Sequence, residues 1–224
     1  MGVIPRIAHF IWLGGPLPDH LAELCETFRE HHPEWAIWWW NEQAIDHFGL
    51  EHRDIYDRAA EYVPSDSVYQ LQSDIARVEI LHQFGGAYID CDFLWHAPVD
   101  DLLVGHEVVA AWERQWVNVG NGFIATVPGH PVLREVIDGL PGRAEAHNRT
   151  LRANRLTGPS GLWNDTLRRH RSDAGVRILH QRLMMHVTWH NPDRAGVDIP
   201  ADAVASHMWN HQKTIRGSSV VTAP

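Results

Sequence analysis

The chain has 224 residues, 44% of them hydrophobic and 21% charged, with a formal net charge of -9 when histidines are neutral. That length supports one substantial core, so a single domain over 1–224 is expected. The acidic balance excludes broad attraction to nucleic acid or anionic membrane, yet it leaves a local phosphate site open, because a metal and one arginine can hold a diphosphate on an acidic protein.

The two cysteines, Cys25 and Cys91, form no CxxC pair and read as buried free thiols, with a single disulfide as the alternative. The start lacks a basic segment followed by a long apolar run, and no stretch approaches 18 uninterrupted apolar residues. A cytoplasmic protein without a membrane anchor is therefore expected. The 11 tryptophans and 17 histidines are unusual for this length. Indoles stack on sugars and bases but fill cores equally well, and the scattered histidines contain no HExxH that would indicate a zinc hydrolase.

In chain order, Ile7 to Trp12 is an apolar run of strand length that ends on Leu13-Gly14-Gly15-Pro16. A first strand delivering its end to a glycine-rich loop is how open α/β sheets build ligand crevices, although neither GxGxxG nor a Walker loop is present. Asp19 to His31 reads as a helix with Leu21, Leu24, Cys25 and Phe28 on one face. Trp35 to Trp40 follows as a second strand, ended by Asn41 and Glu42. Strand, helix, strand within forty residues predicts an α/β fold with a mostly parallel sheet. Residues 41–64 hold two short helical pieces around Gly49.

The next stretch, Ser65 to Asp92, carries most of the information. Leu71, Ile75, Val78 and Leu81 fall at spacings of three and four, a helix with one buried face that Gly85 and Gly86 stop. Asp74 and Arg77 share one flank of it, where they offer an acceptor and a donor fork to a ligand or form an ordinary i,i+3 pair. After the glycines, Tyr88, Asp90 and Asp92 alternate with Ala87, Ile89 and Cys91. On a strand the two carboxylates would point to one side, roughly 7 Å apart at Cα, and Cys91 would point away. Carboxylates so close repel unless a cation or a shared proton compensates, which points to a divalent metal; a solvated strand exit is the bland alternative.

Beyond Asp92 the chain returns through Pro98 to the surface, and Glu107 to Trp112 is a strand candidate. Asn118 to Ala125 reads as a glycine-punctuated turn feeding a strand, Pro131 to about Gly139 as a helix, and Pro141 to Asn154 as a charged surface insertion or acceptor-side lid. Leu162 to His170 is a further helix, with Val176 to Leu179 and Val187 to Trp189 as late strands. His207 and His211 stand four apart near the end.

The run SDxxRxxxLxxxGGxYxDxD over Ser73 to Asp92 resembles the signature of the DXD glycosyltransferases, which include yeast-type initiating mannosyltransferases and, distantly, the large clostridial glucosylating toxins. The opening IPRIAHFIWLGG, the NGFxxA of Asn121 to Ala125 and the triplet Thr157-Gly158-Pro159 resemble the same family. The resemblance is dense over 4–125 and thins to landmarks near 157 and 207. It implies a GT-A-type, Rossmann-like nucleotide-sugar-binding fold, with the donor held by 1–125 and the acceptor side and closing segment in 126–224. It implies a retaining transfer of a hexose from a nucleotide sugar, UDP-sugar favoured over GDP-mannose, to a soluble small molecule, glycan or protein. Asp92 and Asp90 would hold Mn²⁺ or Mg²⁺, Asp90 through water or by touching the ribose; Asp74 and Arg77 would contact the sugar or phosphate; Asn121, with Asn118 as companion, would lie near the transferred sugar. Trp12, with Phe10 as a neighbour, would line the base. His207 and Trp209 match the start of the family's closing pattern, whose serine-tryptophan pair is replaced here by Gln212 and Lys213. His207 is then the expected third metal ligand, with His211 or Asn210 in reserve. A non-catalytic binder on the same scaffold and, less favoured, a glycoside hydrolase are the competing readings.

Overall fold

The structure, a computed structural model, describes residues 2–187 and 198–209. The chain runs β1 (Ile7–Ile11), α1 (Asp19–His31), β2 (Ala36–Trp40), α2 (Glu42–Phe48), α3 (Arg53–Asp57), α4 (Ala59–Tyr62), α5 (Val68–Phe84), β3 (Gly86–Ile89) and β4 (Phe93–Trp95). It continues with α6 (Asp100–Leu103), β5 (Val108–Arg114), β6 (Asn118–Thr126), α7 (Pro131–Ala146), α8 (Ala153–Leu156), α9 (Leu162–His170), β7 (Val176–Leu179) and β8 (Ala205–His207).

Six strands form a mixed sheet in the order β2-β1-β3-β6-β5-β7, and β4 pairs separately with β8. β1 runs parallel to both β2 and β3, and β5 parallel to β7; only β6 is reversed, antiparallel to β3 and β5. Helices cover both faces. Leu21, Cys25 and Phe28 of α1 join Phe10, Ile89, Phe93 and Phe123 in one apolar layer. Leu71, Ile75 and Leu81 of α5 pack with α7 and α9 against Tyr88, Ala110 and Ile124 on the other. The chain thus leaves β1 over one face and reaches β3 from the opposite one, a switch point at which α/β sheets open a crevice beyond the strand ends.

Local chemistry sets the boundaries of the first half. The Asn41 side chain, which ends β2, accepts from the amide of Ala44 at 3.0 Å and so caps α2. Gly85 follows α5 at φ +64, and a Cβ on Gly86 would lie 2.4 Å from the Ile7 carbonyl oxygen, so only glycine lets β3 settle beside β1.

Two later expectations are corrected. The helix expected to end near Gly139 continues to Ala146 through Pro141, and no surface insertion begins at Pro141. Proline cannot donate to the carbonyl four residues back, but His52 Nε2 lies 2.8 Å from that oxygen, Ile137 O, and donates in its place. The polar stretch from Asn118 to Gly122, expected as a turn, is already β6. Asn118 and Val119 stand opposite Arg114 and Trp112 of β5, the Val119 amide donates to Asn164 Oδ1 at 2.9 Å, and the Asp90 amide donates to Gly122 O at 2.7 Å on the other side.

One buried histidine ties three strands' worth of structure together. His9 has no solvent exposure; its Nε2 donates to Gly85 O at 2.9 Å, and its Nδ1 accepts from Trp40 Nε1 at 3.1 Å. That network fits only the neutral imidazole, and burial lowers its pKa to about 4. Because the unfolded chain binds a proton near pH 6.5 and the native one does not, stability is lost as pH falls from 6.5 through 4, by about 3 kcal/mol in all. Urea unfolding at pH 7.5 and 4.5 checks this: His9→Gln, less stable at pH 7.5, is expected to lose less between the two pH values than the wild type.

Candidate active site

The acidic pair does not lie on one strand. β3 stops at Ile89, and Asp90, Cys91 and Asp92 form a turn into β4, so the expectation of two carboxylates in strand alternation is corrected. The turn still converges them, because β4 pairs antiparallel with β8, which places Phe93 opposite His207. His207 Nε2 lies 2.9 Å from Asp92 Oδ1 and 3.7 Å from Asp90 Oδ2. One ligand atom from each of Asp90, Asp92 and His207 falls within 4.8 Å of the others. Cys91 lies in the apolar layer under α1, its Sγ 3.8 Å from Ile11 O, and both cysteines are buried free thiols.

Two aromatic rings pack against the imidazole. Phe93 stacks on it at 4.6 Å between centroids, and Trp209 approaches to 4.0 Å. Trp209 takes φ +53, a region that bulky residues avoid, and is held by its Nε1 donating to Val187 O at 2.9 Å. His207 is on a strand rather than a helix, so a helical pair with His211 is excluded; His211 and Asn210 lie outside the described residues.

Asp90 is the better exposed carboxylate, and it is aimed by its neighbours. Tyr88 donates its hydroxyl to Asp90 Oδ1 at 2.6 Å, and Arg77 Nη1 stands 3.5 Å from the same oxygen. The Arg77 guanidinium lies over the Tyr88 ring, 4.2 Å from its centroid, so the cation and the ring lock each other. Tyr88 was legible as the residue two before Asp90 with the same facing, though only the fold shows what it does.

Asp74 and Arg77 turn inward, so the flank read as a donor fork open to ligand is corrected. Arg77 Nε donates to Ser73 O at 3.2 Å, Nη1 to Asn121 O at 2.7 Å and Nη2 to Ser73 Oγ at 3.0 Å, and Nη2 forms an ion pair with Asp74 Oδ1 at 3.0 Å. Asp74 Oδ1 also accepts from Asn121 Nδ2 at 2.9 Å, and Oδ2 from Thr157 Oγ1 at 2.5 Å. Burial pushes the Asp74 carboxyl above the usual carboxylate range, and Arg77 with the two other donors opposes that rise. The network joins α5, β6 and the 157 turn into one wall, with Asn121 half-buried at its edge. Asn118, its expected companion, is spent on Ser160, with Nδ2 3.3 Å from Oγ.

Of the two aromatics expected at the base, one is corrected. Phe10 is 1% exposed, stacked on Trp39 at 4.9 Å and edge-on to Phe28, and is core. Trp12 is half-buried at the end of β1, with Nε1 donating to Pro16 O at 3.2 Å.

The donor set fits a hard divalent cation: two carboxylates and one imidazole converge from a turn and a facing strand, without thiolate. Three features together define the class: a mixed sheet with one reversed strand, a switch point at β1, and an acidic turn at the end of β3 facing a wall from α5. It is a GT-A-type fold. PaToxG glycosyltransferase superposes with a TM-score of 0.57 at 17% identity, over 75% of this chain and 70% of its own. The UDP-bound glycosyltransferase domain from the YGT toxin gives 0.54 at 11% identity, over 96% of this chain and 89% of its own.

Residues 18–109, which contain Asp90-Cys91-Asp92, match the family described as glycosyltransferase sugar-binding region containing DXD motif. A curated relative, inositol phosphoceramide mannosyltransferase 1 of Schizosaccharomyces pombe, is 28% identical over 144 residues, 62% of this chain. The chain spans 44% of the length of that relative. Among the described residues, no helix is long and apolar enough to cross a membrane.

Proposed function

We propose that this protein is a metal-assisted, retaining glycosyltransferase that moves a hexose from a nucleotide sugar, UDP-sugar before GDP-mannose, to a hydroxyl acceptor. The observation that carries the reading is the convergence of Asp90, Asp92 and His207 beside the Arg77–Asp74–Asn121 wall. The family match over residues 18–109 supports transfer, the UDP in the YGT toxin domain supports uridine, and the name of the S. pombe relative keeps mannose in play.

Asp90, Asp92 and His207 would hold Mn²⁺ or Mg²⁺, which when bound neutralises the charge that grows on the departing diphosphate. Trp12 covers the base, and Trp209 closes over the diphosphate from the far side. Arg77 and Tyr88 keep Asp90 aimed, while Asp74 holds the Asn121 amide where the transferred sugar would lie. The bond between the anomeric carbon and the phosphate oxygen breaks, the acceptor oxygen bonds to that carbon on the same face, and its proton passes to the freed diphosphate oxygen. No side chain is then needed as a base. Residues 1–125 carry the donor and 126–224 the acceptor side, and the acceptor is a soluble molecule, glycan or protein met in the cytoplasm.

A thermal-shift screen of UDP-glucose, UDP-galactose, UDP-N-acetylglucosamine and GDP-mannose, each with and without Mn²⁺, tests the reading. Stabilisation by one donor that depends on Mn²⁺, with slow release of its nucleotide, is expected. Binding that ignores the metal, with no turnover of any donor, would favour a non-catalytic binder.

A further inference from the structure

One carboxylate near the site is left without work by the reading above. Glu113 lies on β5, half-buried, and among the described residues no hydrogen bond or ion pair engages it. Asp90 and His207 are among the charged groups whose fields it feels, and burial raises its carboxyl above the usual range. On the strand between it and Asp90, two positions carry no side chain. A Cβ on Gly120 of β6 would stand 3.5 Å from Glu113 Cβ and 3.3 Å from Met185 Cε. A Cβ on Gly122, two residues on and so on the same face, would stand 2.6 Å from Asp90 Oδ2. The two glycines give β6 no side chain of its own on the face between the two carboxylates, a face bordered by Met185 and Phe93, and Glu113 and Asp90 stand on opposite sides of it.

Strand order fixes the direction across this glycine face. Trp12 follows β1, the acidic turn follows β3, Asn121 is on β6 and Glu113 on β5, the sheet neighbours in that sequence. A donor laid along the strand ends with its base at Trp12 and its diphosphate at the acidic turn brings its sugar over β6. The next position, over β5, belongs to whatever attacks it.

We propose that Glu113 contacts the incoming acceptor, its carboxylate accepting the hydrogen bond of an acceptor hydroxyl and holding that oxygen over Gly120 and Gly122 toward the anomeric carbon. The proposal rests on the glycosyltransferase reading and adds the acceptor subsite to it. An unpartnered carboxylate favours a polyhydroxylated acceptor such as a sugar, or water when nothing else is present, over an anionic one. Glu113 positions the hydroxyl and takes no proton, so the balance of the transfer is unchanged.

The test needs no knowledge of the natural acceptor, because water serves. Wild type, Glu113→Gln and Glu113→Asp are compared with Mn²⁺ and each of the four nucleotide sugars named above, measuring nucleotide release, donor KM, affinity for the free nucleotide and melting temperature. Glu113→Gln is expected to lower kcat for release by about tenfold or more, the scale of one hydrogen bond to a charged group. Donor KM, nucleotide affinity and melting temperature are expected to stay within about twofold or a degree, and Glu113→Asp to fall between. Unchanged kcat in Glu113→Gln, or nucleotide affinity falling in step with kcat, overturns the assignment. A wild type that releases nucleotide from none of the four donors overturns the glycosyltransferase reading first, and this proposal with it.

Discussion

Asp92→Asn is expected to lower sugar transfer by on the order of 10³-fold, the scale of losing a group that acts on developing charge, and to remove the dependence of donor binding on Mn²⁺. The expectation follows from the position of Asp92, 3% exposed, with Oδ1 2.9 Å from His207 Nε2 and Asp90 Oδ2 3.7 Å from the same nitrogen. An asparagine oxygen still accepts from His207, so the turn and the β4–β8 pairing stay in place. What is lost is the second negative charge, without which a divalent ion meets one carboxylate and a neutral imidazole. The fold should therefore melt normally in the absence of metal. Calorimetry with Mn²⁺ and the best donor from the thermal-shift screen separates the effects, and full turnover at unchanged donor affinity in the variant would remove Asp92 from the site.

The second large effect is on stability. Arg77→Met deletes the cation of a fully enclosed pair: the two side chains are 5% and 2% exposed. The neutral side chain leaves Asp74 buried with only Asn121 and Thr157 as donors, and strands Asn121 O and Ser73 Oγ as well. Breaking a buried pair from one side costs roughly 3–5 kcal/mol, which for a chain of this size lowers the melting temperature by about 10 °C.

The sign of its pH dependence is diagnostic. Without Arg77, the Asp74 carboxyl is raised further above its unfolded value, so the native state holds a proton that the unfolded chain gives up as pH rises. The deficit of Arg77→Met relative to wild type is thus smaller at pH 5 than at pH 8. The further change Asp74→Asn should recover part of the loss at pH 8 and little at pH 5. Urea unfolding of the four proteins of this double-mutant cycle reads both. A deficit independent of pH would mean that the guanidinium contributes packing on Tyr88 and no compensation of charge.

The sequence by itself determined the parts that depend on near neighbours. The period of Leu71, Ile75, Val78 and Leu81, with two glycines behind it, places α5 from Val68 to Phe84, because a helix and its stop are written in contiguous residues. The first strand, helix and second strand were legible for the same reason, and so was the acid-x-acid motif itself. Tertiary structure decided everything that needs a partner far along the chain. β4 and β8 are three residues each, too short to show a period, and exist because they pair with each other. That pairing alone carries His207 to Asp92 across 115 residues. Helix α7 outlasts its proline, and His52, 85 residues away from Ile137, donates to the abandoned carbonyl. Phe10 and Trp12 look alike as alternating aromatics on one run; the packing of α1 and β2 encloses the first and leaves the second at the crevice. Asp74 and Arg77 sit where helical spacing put them. Whether they face ligand or protein was settled by β6 and the turn at Thr157 closing over them, because burial is a property of the neighbours a residue acquires and not of its own spacing.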